Sequence, residues 1–184
     1  LIDLDDLRNG RVPGIEADVG ACLAQAAIIC LEDNHHADGI SMKIDGSLED
    51  NLEVRWRPLT DPAQARRSWD PDDATEWGAS GVATLVIDRL TDYRVVERAK
   101  KWVGERRGSG FDYWLGRKDE EARDLLFQGK ARLEVSGIRS GSESDLAARV
   151  RKKEVQTQQS DWLRLDAYVA VVEFSAPRAR VIKR

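Results

Sequence analysis

Histidine, cysteine and long apolar runs are scarce in this 184-residue chain, and each scarcity closes off a class of function. Histidines are few, and His35-His36 followed by Asp38 invite a metal proposal only weakly, because adjacent imidazoles in a turn rarely converge on one ion. Cys22 and Cys30 fall in one helical pattern eight residues apart, too distant for a disulfide, and read as reduced core thiols. No stretch approaches the roughly 18 consecutive apolar residues of a membrane span. The acidic opening residues do not resemble a secretory signal, so the expectation is a cytoplasmic protein with no membrane partner. No Ser-His-Asp or Cys-His arrangement, phosphate loop or dinucleotide glycine pattern is visible.

What is present is charge, unevenly distributed. Hydrophobic residues make up 41% and charged residues 34%, enough to bury one sizeable core in a single domain. The net charge of −4 conceals two opposite halves. Residues 1–93 carry 8 Lys and Arg against 19 Asp and Glu, a net −11; residues 94–184 carry 21 against 14, a net +7. A basic half of this kind suits a polyanion, whereas the acidic half argues against indiscriminate coating of nucleic acid and suits a protein partner.

Hydrophobic spacing supplies the elements. Residues 1–13 read as a lead-in arm ending at Pro13-Gly14. Val19, Cys22, Leu23, Ala26, Ala27 and Cys30 recur at three and four and predict an amphipathic helix from Ile15 to about Asp33. Ile40–Asp45 and Leu52–Arg57 alternate around Gly46-Ser47 as an antiparallel pair, with Met42, Ile44, Val54 and Trp56 inward. Asp61–Asp73 is a loop with a helical turn at Ala63–Ser68, after which Asp72-Asp73 cap a helix over Ala74–Leu90. Strands follow at Tyr93–Arg98, Phe111–Leu115 and Arg132–Ile138, with a helical excursion at Glu120–Phe127 between the last two. Ser142–Gln159 is a long helix, Tyr168–Phe174 a buried central strand, and Val181-Ile182 an edge strand.

Two of these strands carry a carboxylate among apolar neighbours, Asp112 and Glu134. A buried carboxylate is costly unless something positive meets it. If the strands are neighbours, Asp112 and Glu134 stand about 5 Å apart on one face, where either a structural cation such as Arg132 or a divalent metal would neutralise them. Hard oxygen donors favour Mg²⁺ or Mn²⁺. Glu76 lies on the inner face of its helix, three residues before Ala79 and seven before Ala83, and points toward the sheet.

The order of these elements resembles the PD-(D/E)XK nuclease superfamily, the restriction-endonuclease-like fold, over about residues 74–175. That resemblance implies an α/β domain with a central mixed sheet flanked by helices, a core at 74–184 and an acidic N-terminal elaboration at 1–73. It implies Glu76 as the acid of the first core helix, Asp112 as the aspartate of the second core strand, and Glu134-Val135-Ser136 as the third-strand motif. It further implies a metal held by Asp112, Glu134 and the Val135 carbonyl with help from Glu76, and hydrolysis of nucleic acid within a larger, defence-type assembly. The departure is Ser136, where the superfamily usually has a lysine that orients and deprotonates the attacking water; a neutral hydroxyl lacks that charge.

The helix Ser142–Gln159 offers a substitute. Leu146, Val150, Lys153 and Thr157 share one stripe at spacings of four, three and four, so Lys153 either reaches the site or snorkels at the core margin. Lys100, Lys101, Arg106 and Arg107, among glycines 104, 108 and 110, form a basic loop suited to phosphates, and Gln156 and Gln158 offer backbone contacts. Trp56, Trp77 and Trp114 read as core or core-edge residues. The alternative to an active nuclease is the same fold with catalysis lost, serving as a nucleic-acid-binding or protein-interaction module.

Overall fold

Two strands without a polar face organise the molecule. Every residue of Ala131–Ile138 is buried, as are all but the first of Asp166–Glu173, and the two pair in parallel from Ala131↔Asp166 to Ile138↔Glu173. A strand hydrophobic on both sides must be covered on both sides. Val169, Val171 and Ile138 pack on one side against Leu146 and Val150, while Leu133, Val135, Ala170 and Val172 join the main core on the other.

The computed structural model describes residues 1–100, 109–119 and 130–184. In chain order these give β1 (Ile2–Asp3), α1 (Asp5–Arg8), α2 (Ala17–Asp33), β2 (Ile40–Gly46), β3 (Asp50–Arg55), α3 (Pro62–Arg67) and α4 (Pro71–Leu90). They continue with β4 (Tyr93–Arg98), β5 (Tyr113–Arg117), β6 (Ala131–Ile138), α5 (Glu143–Thr157), a 3-10 turn at Gln158–Leu163, β7 (Asp166–Glu173) and β8 (Arg178–Lys183). The fold is α/β: one mixed, strongly curled eight-stranded sheet, a half-barrel in order β1-β3-β2-β8-β7-β6-β5-β4, packed among the described residues with five helices. No described helix is long and apolar enough to cross a membrane.

Several expectations hold in their local form. The pair β2–β3 is antiparallel, with Met42, Ile44, Val54 and Trp56 buried. The helix α5 begins at a capping box between Ser142 and Asp145, and Leu146, Val150 and Thr157 are buried. The N-cap of α4 is Asp70 rather than Asp72-Asp73: Asp70 accepts from the amides of Asp72 and Asp73, and Pro71 opens the helix because its missing N–H would be unsatisfied there. Cys30 is a core thiol, whereas Cys22 is exposed and Val19 43% exposed, since the buried face of α2 is the one turned to α4. Glu120–Phe127 lies outside the described residues.

Two expectations fail for non-local reasons. Residues 1–13 are no loose arm: β1 pairs with β3 at Ile2↔Val54, and Leu4 and Leu7 are fully buried. Gly20 of α2 lies so close that a Cβ there would sit 2.2 Å from the Leu7 carbonyl oxygen. A helix of four residues has no period to read. Nor is Val181-Ile182 at an edge, because β8 lies between β2 and β7. Its Arg178 and Arg180 resemble solvent-facing residues but pair with Glu143, Glu173 and Asp45. Through β8 the acidic half joins the same sheet, and α2 shares the main core with α4.

A candidate active site at the fork of two strands

The site exists because β5 is shorter than β6. The antiparallel pairing Tyr113↔Leu133, Trp114↔Arg132 and Leu115↔Ala131 ends where β5 begins, and on that edge β6 runs on without a strand partner through Val135, Ser136 and Gly137, while its other edge stays paired with β7. An unpaired amide in a buried strand is costly. Two carboxylates meet the amides: the Val135 N–H donates to Oδ2 of Asp112 at 2.8 Å, and the Gly137 N–H donates to Oε2 of Glu76 at 3.2 Å. A residue's N–H and C=O leave a strand on the same side, so the Val135 carbonyl also faces the fork.

Asp112 lies one residue ahead of β5 rather than inside it. Its own amide donates to the Leu133 carbonyl at 2.8 Å, one position off the Tyr113↔Leu133 register, and its carboxylate lies close enough to Glu134 for the two charges to act on each other. The turn before it requires Gly110, at φ +76°, where a Cβ would meet the Gln156 carbonyl at 2.7 Å. The face of β6 that carries Glu134 is then matched residue by residue with the inner stripe of α5. Arg132 donates to the Thr157 carbonyl, Lys153 reaches Glu134, and Arg149 donates to the Ser136 hydroxyl at 2.8 Å. The last is a cation that the inner stripe did not include. It lies one turn before Lys153, a spacing that was available to find it.

Glu134 is the most constrained group of the set. Only 1% of it is exposed, Lys153 Nζ stands 2.5 Å from Oε1, and Oε2 is buried without a hydrogen-bond partner among the described residues. Burial first, and the charge of Asp112 second, push its carboxyl up to about 8 despite Lys153. Glu76 faces the other way around the same edge: Oε1 accepts from Ser136 Oγ at 3.2 Å and lies 3.5 Å from Arg149.

The fork opens into a cleft of about 380 Å³. Asp112, Val135 and Lys153 line its floor, Glu76, Trp77 and Ser80 of α4 one wall, and the segment Gly14–Val19 another. Arg98 of β4 lies over the Trp77 ring at 5.9 Å, and burial raises the phenol of Tyr113. No sequence signal pointed to Arg98 or Tyr113.

The structure thus brings Asp112, Glu134, Val135 and Lys153 together and holds Glu76 beside them on Ser136 and Gly137. Among the described residues no three His, Cys, Asp or Glu side chains form a ready metal cluster. The donors nonetheless fit a hard cation: Mg²⁺ takes one or two carboxylates and completes its shell with water and substrate phosphate, and the orphaned Glu134 oxygen beside Asp112 is such a position. Of the proposed phosphate contacts, Lys100 is exposed and pairs with Glu97 at 3.4 Å, and Gln156 is half-buried against Gly110. Lys101, Arg106 and Arg107 lie outside the described residues. His36 bonds the Phe174 carbonyl and Asp38 accepts from the Trp56 amide, roles that are structural.

No protein-family model matches the chain, and comparisons with curated proteins and with solved structures find no match.

Proposed function

We propose that this chain is a metal-dependent phosphodiesterase acting on nucleic acid, with a restriction-endonuclease-like core over residues 74–175. The observation that carries the reading is Lys153. A lysine from α5 reaches Glu134 beside Asp112, at the open edge of β6, where the third-strand motif lacks its own lysine. The order α4, β4, β5, β6, α5, β7, with β6 and β7 parallel, is what that core requires.

In this reading Asp112 and Glu134, with the Val135 carbonyl, would hold Mg²⁺ or Mn²⁺, which when bound would activate water and neutralise phosphoryl charge. Asp112 keeps its place through the Val135 amide, so the position of its carboxylate is fixed before substrate arrives. Lys153 keeps positive charge at Nζ on the reacting side of Glu134, the task the missing motif lysine would perform. Arg149, fixed between Ser136 and the Gly137 carbonyl, adds a second cation and holds Glu76 on the strand edge. The basic half supplies the polyanion surface, and the acidic half remains a surface for protein partners in a larger, cytoplasmic, defence-type assembly.

One observation favours a second reading, a nucleic-acid-binding or interaction module that has lost catalysis. Asp112 and Glu76 each satisfy an amide of β6, a structural service that needs no metal. Purified protein incubated with labelled DNA and RNA in Mg²⁺ or Mn²⁺ separates the two. The hydrolytic reading expects cleavage that a chelator stops and Glu134→Ala abolishes; retention of cleavage in Glu134→Ala excludes this site, and binding without cleavage establishes the module.

A further inference from the structure

We propose that the outward stripe of α5 and the turn after it form a track for one strand of nucleic acid, with Trp162 as its base-stacking platform. The class of ligand rests on the reading above; the track itself lies outside the cleft. Lys153 and Arg149 face the sheet, whereas Arg151 and Val155 are exposed on the other side of α5, and Gln158 and Trp162 are exposed in the 3-10 turn that follows it.

Trp162 is 77% exposed and Val155 62% exposed, more than any other large hydrophobic among the described residues. The turn carrying Trp162 is not loose. Buried Arg132 donates to the Thr157 carbonyl, to Ser160 Oγ at 2.6 Å and to the Leu165 carbonyl at 2.7 Å. Asp161, next to the tryptophan, is tied to both Arg132 and Arg184. The ring is therefore presented on a fixed base, which lowers the ordering cost of binding.

The charges around it point to a polyanion. Arg151, Lys152 and Arg164 are exposed and pair with no acid among the described residues, while the acid nearest the ring, Asp161, is already neutralised. Unpaired cations along the helix and turn that carry an open aromatic face are what a single strand uses, phosphates to the cations and a base on the ring. A duplex keeps its base faces stacked and cannot offer one. The segment Ser109–Gly110 leading to Asp112 rests against Gln156 and Gln159 on the flank of α5, so the helix joins the track to the site.

The test is anisotropy of a labelled oligothymidylate with all divalent metal chelated, so that binding is read without cleavage. Trp162→Ala weakens binding about 5- to 150-fold and Trp162→Phe largely restores it. Arg151→Ala/Lys152→Ala flattens the slope of log affinity against log salt by about 1.4, the share of two phosphates. Binding by Trp162→Ala within twofold of wild type overturns the proposal. So does a change from dimer to monomer in Trp162→Ala with oligonucleotide binding intact, which assigns the face to a protein partner. Melting of Trp162→Ala by circular dichroism matches wild type, because the ring supports no core. A protein that never cleaves would sink the hydrolytic reading yet leave this binding measurement standing.

Discussion

The ammonium of Lys153 lies 2.5 Å from Oε1 of Glu134, a carboxylate with almost no surface of its own, and Asp112 stands on its other side. One cation against two acids leaves negative charge uncompensated in a dry place. The arrangement is stable only if Glu134 holds a proton or another cation arrives.

That imbalance makes stability depend on pH in a definite sense. The Glu134 carboxyl is raised from 4.5 to about 8, so the folded state favours its protonated form; this contribution is whole below 4.5 and is lost as the pH rises through about 8. Glu134→Gln, neutral at every pH, therefore gains thermal midpoint over wild type across that window in metal-free buffer. Asp112→Asn keeps an oxygen for the Val135 amide but removes the second cause of the shift, so the Glu134 titration followed by NMR moves down. A flat difference between Glu134→Gln and wild type from pH 5 to 9 would contradict the account.

Placing a lysine at position 136 is expected to harm the protein. Ser136 is fully buried and its hydroxyl already accepts from Arg149. Ser136→Lys forces a third cation between Arg149 and Lys153 and costs about 3 kcal/mol in chemical denaturation. Combining it with Arg149→Ala recovers part of that loss. Arg149→Ala alone lowers the cleavage rate about 100-fold if Arg149 supplies charge to the reacting phosphate.

A single methyl group tests the fork itself. A Cβ at Gly137 would lie 2.4 Å from the Thr75 carbonyl oxygen, so α4 and β6 touch backbone to backbone there. Gly137→Ala pushes them apart at the point where Glu76 meets the Gly137 amide. The expected cost is about 1–3 kcal/mol in denaturant titration, with cleavage falling further than stability alone explains.

How much of this was legible depends on how local each feature is. Lys153 is readable because its stripe with Leu146, Val150 and Thr157 is a property of one helix. Asp112 and Glu134 are readable as a pair because strand alternation fixes their face, although Asp112 precedes its strand. The fork was not readable: it follows from a five-residue β5 meeting an eight-residue β6, and strand ends are set by partners. The interior position of β8 was equally hidden, because Arg178 and Arg180 find Asp45, Glu143 and Glu173 far along the chain. Arg149 was within reach of the helical pattern, but an arginine on the flank of a stripe looks like solvated surface until its partners are placed.

The most direct test of the central claim is single-turnover cleavage of a labelled oligonucleotide by wild type and Asp112→Asn in Mn²⁺, the substitution chosen because it keeps the hydrogen bond to Val135 and hence the fold. The account predicts metal-dependent cleavage by wild type and a loss of about 100-fold or more in Asp112→Asn at a thermal midpoint no lower than that of wild type. Equal rates in the two proteins would contradict it.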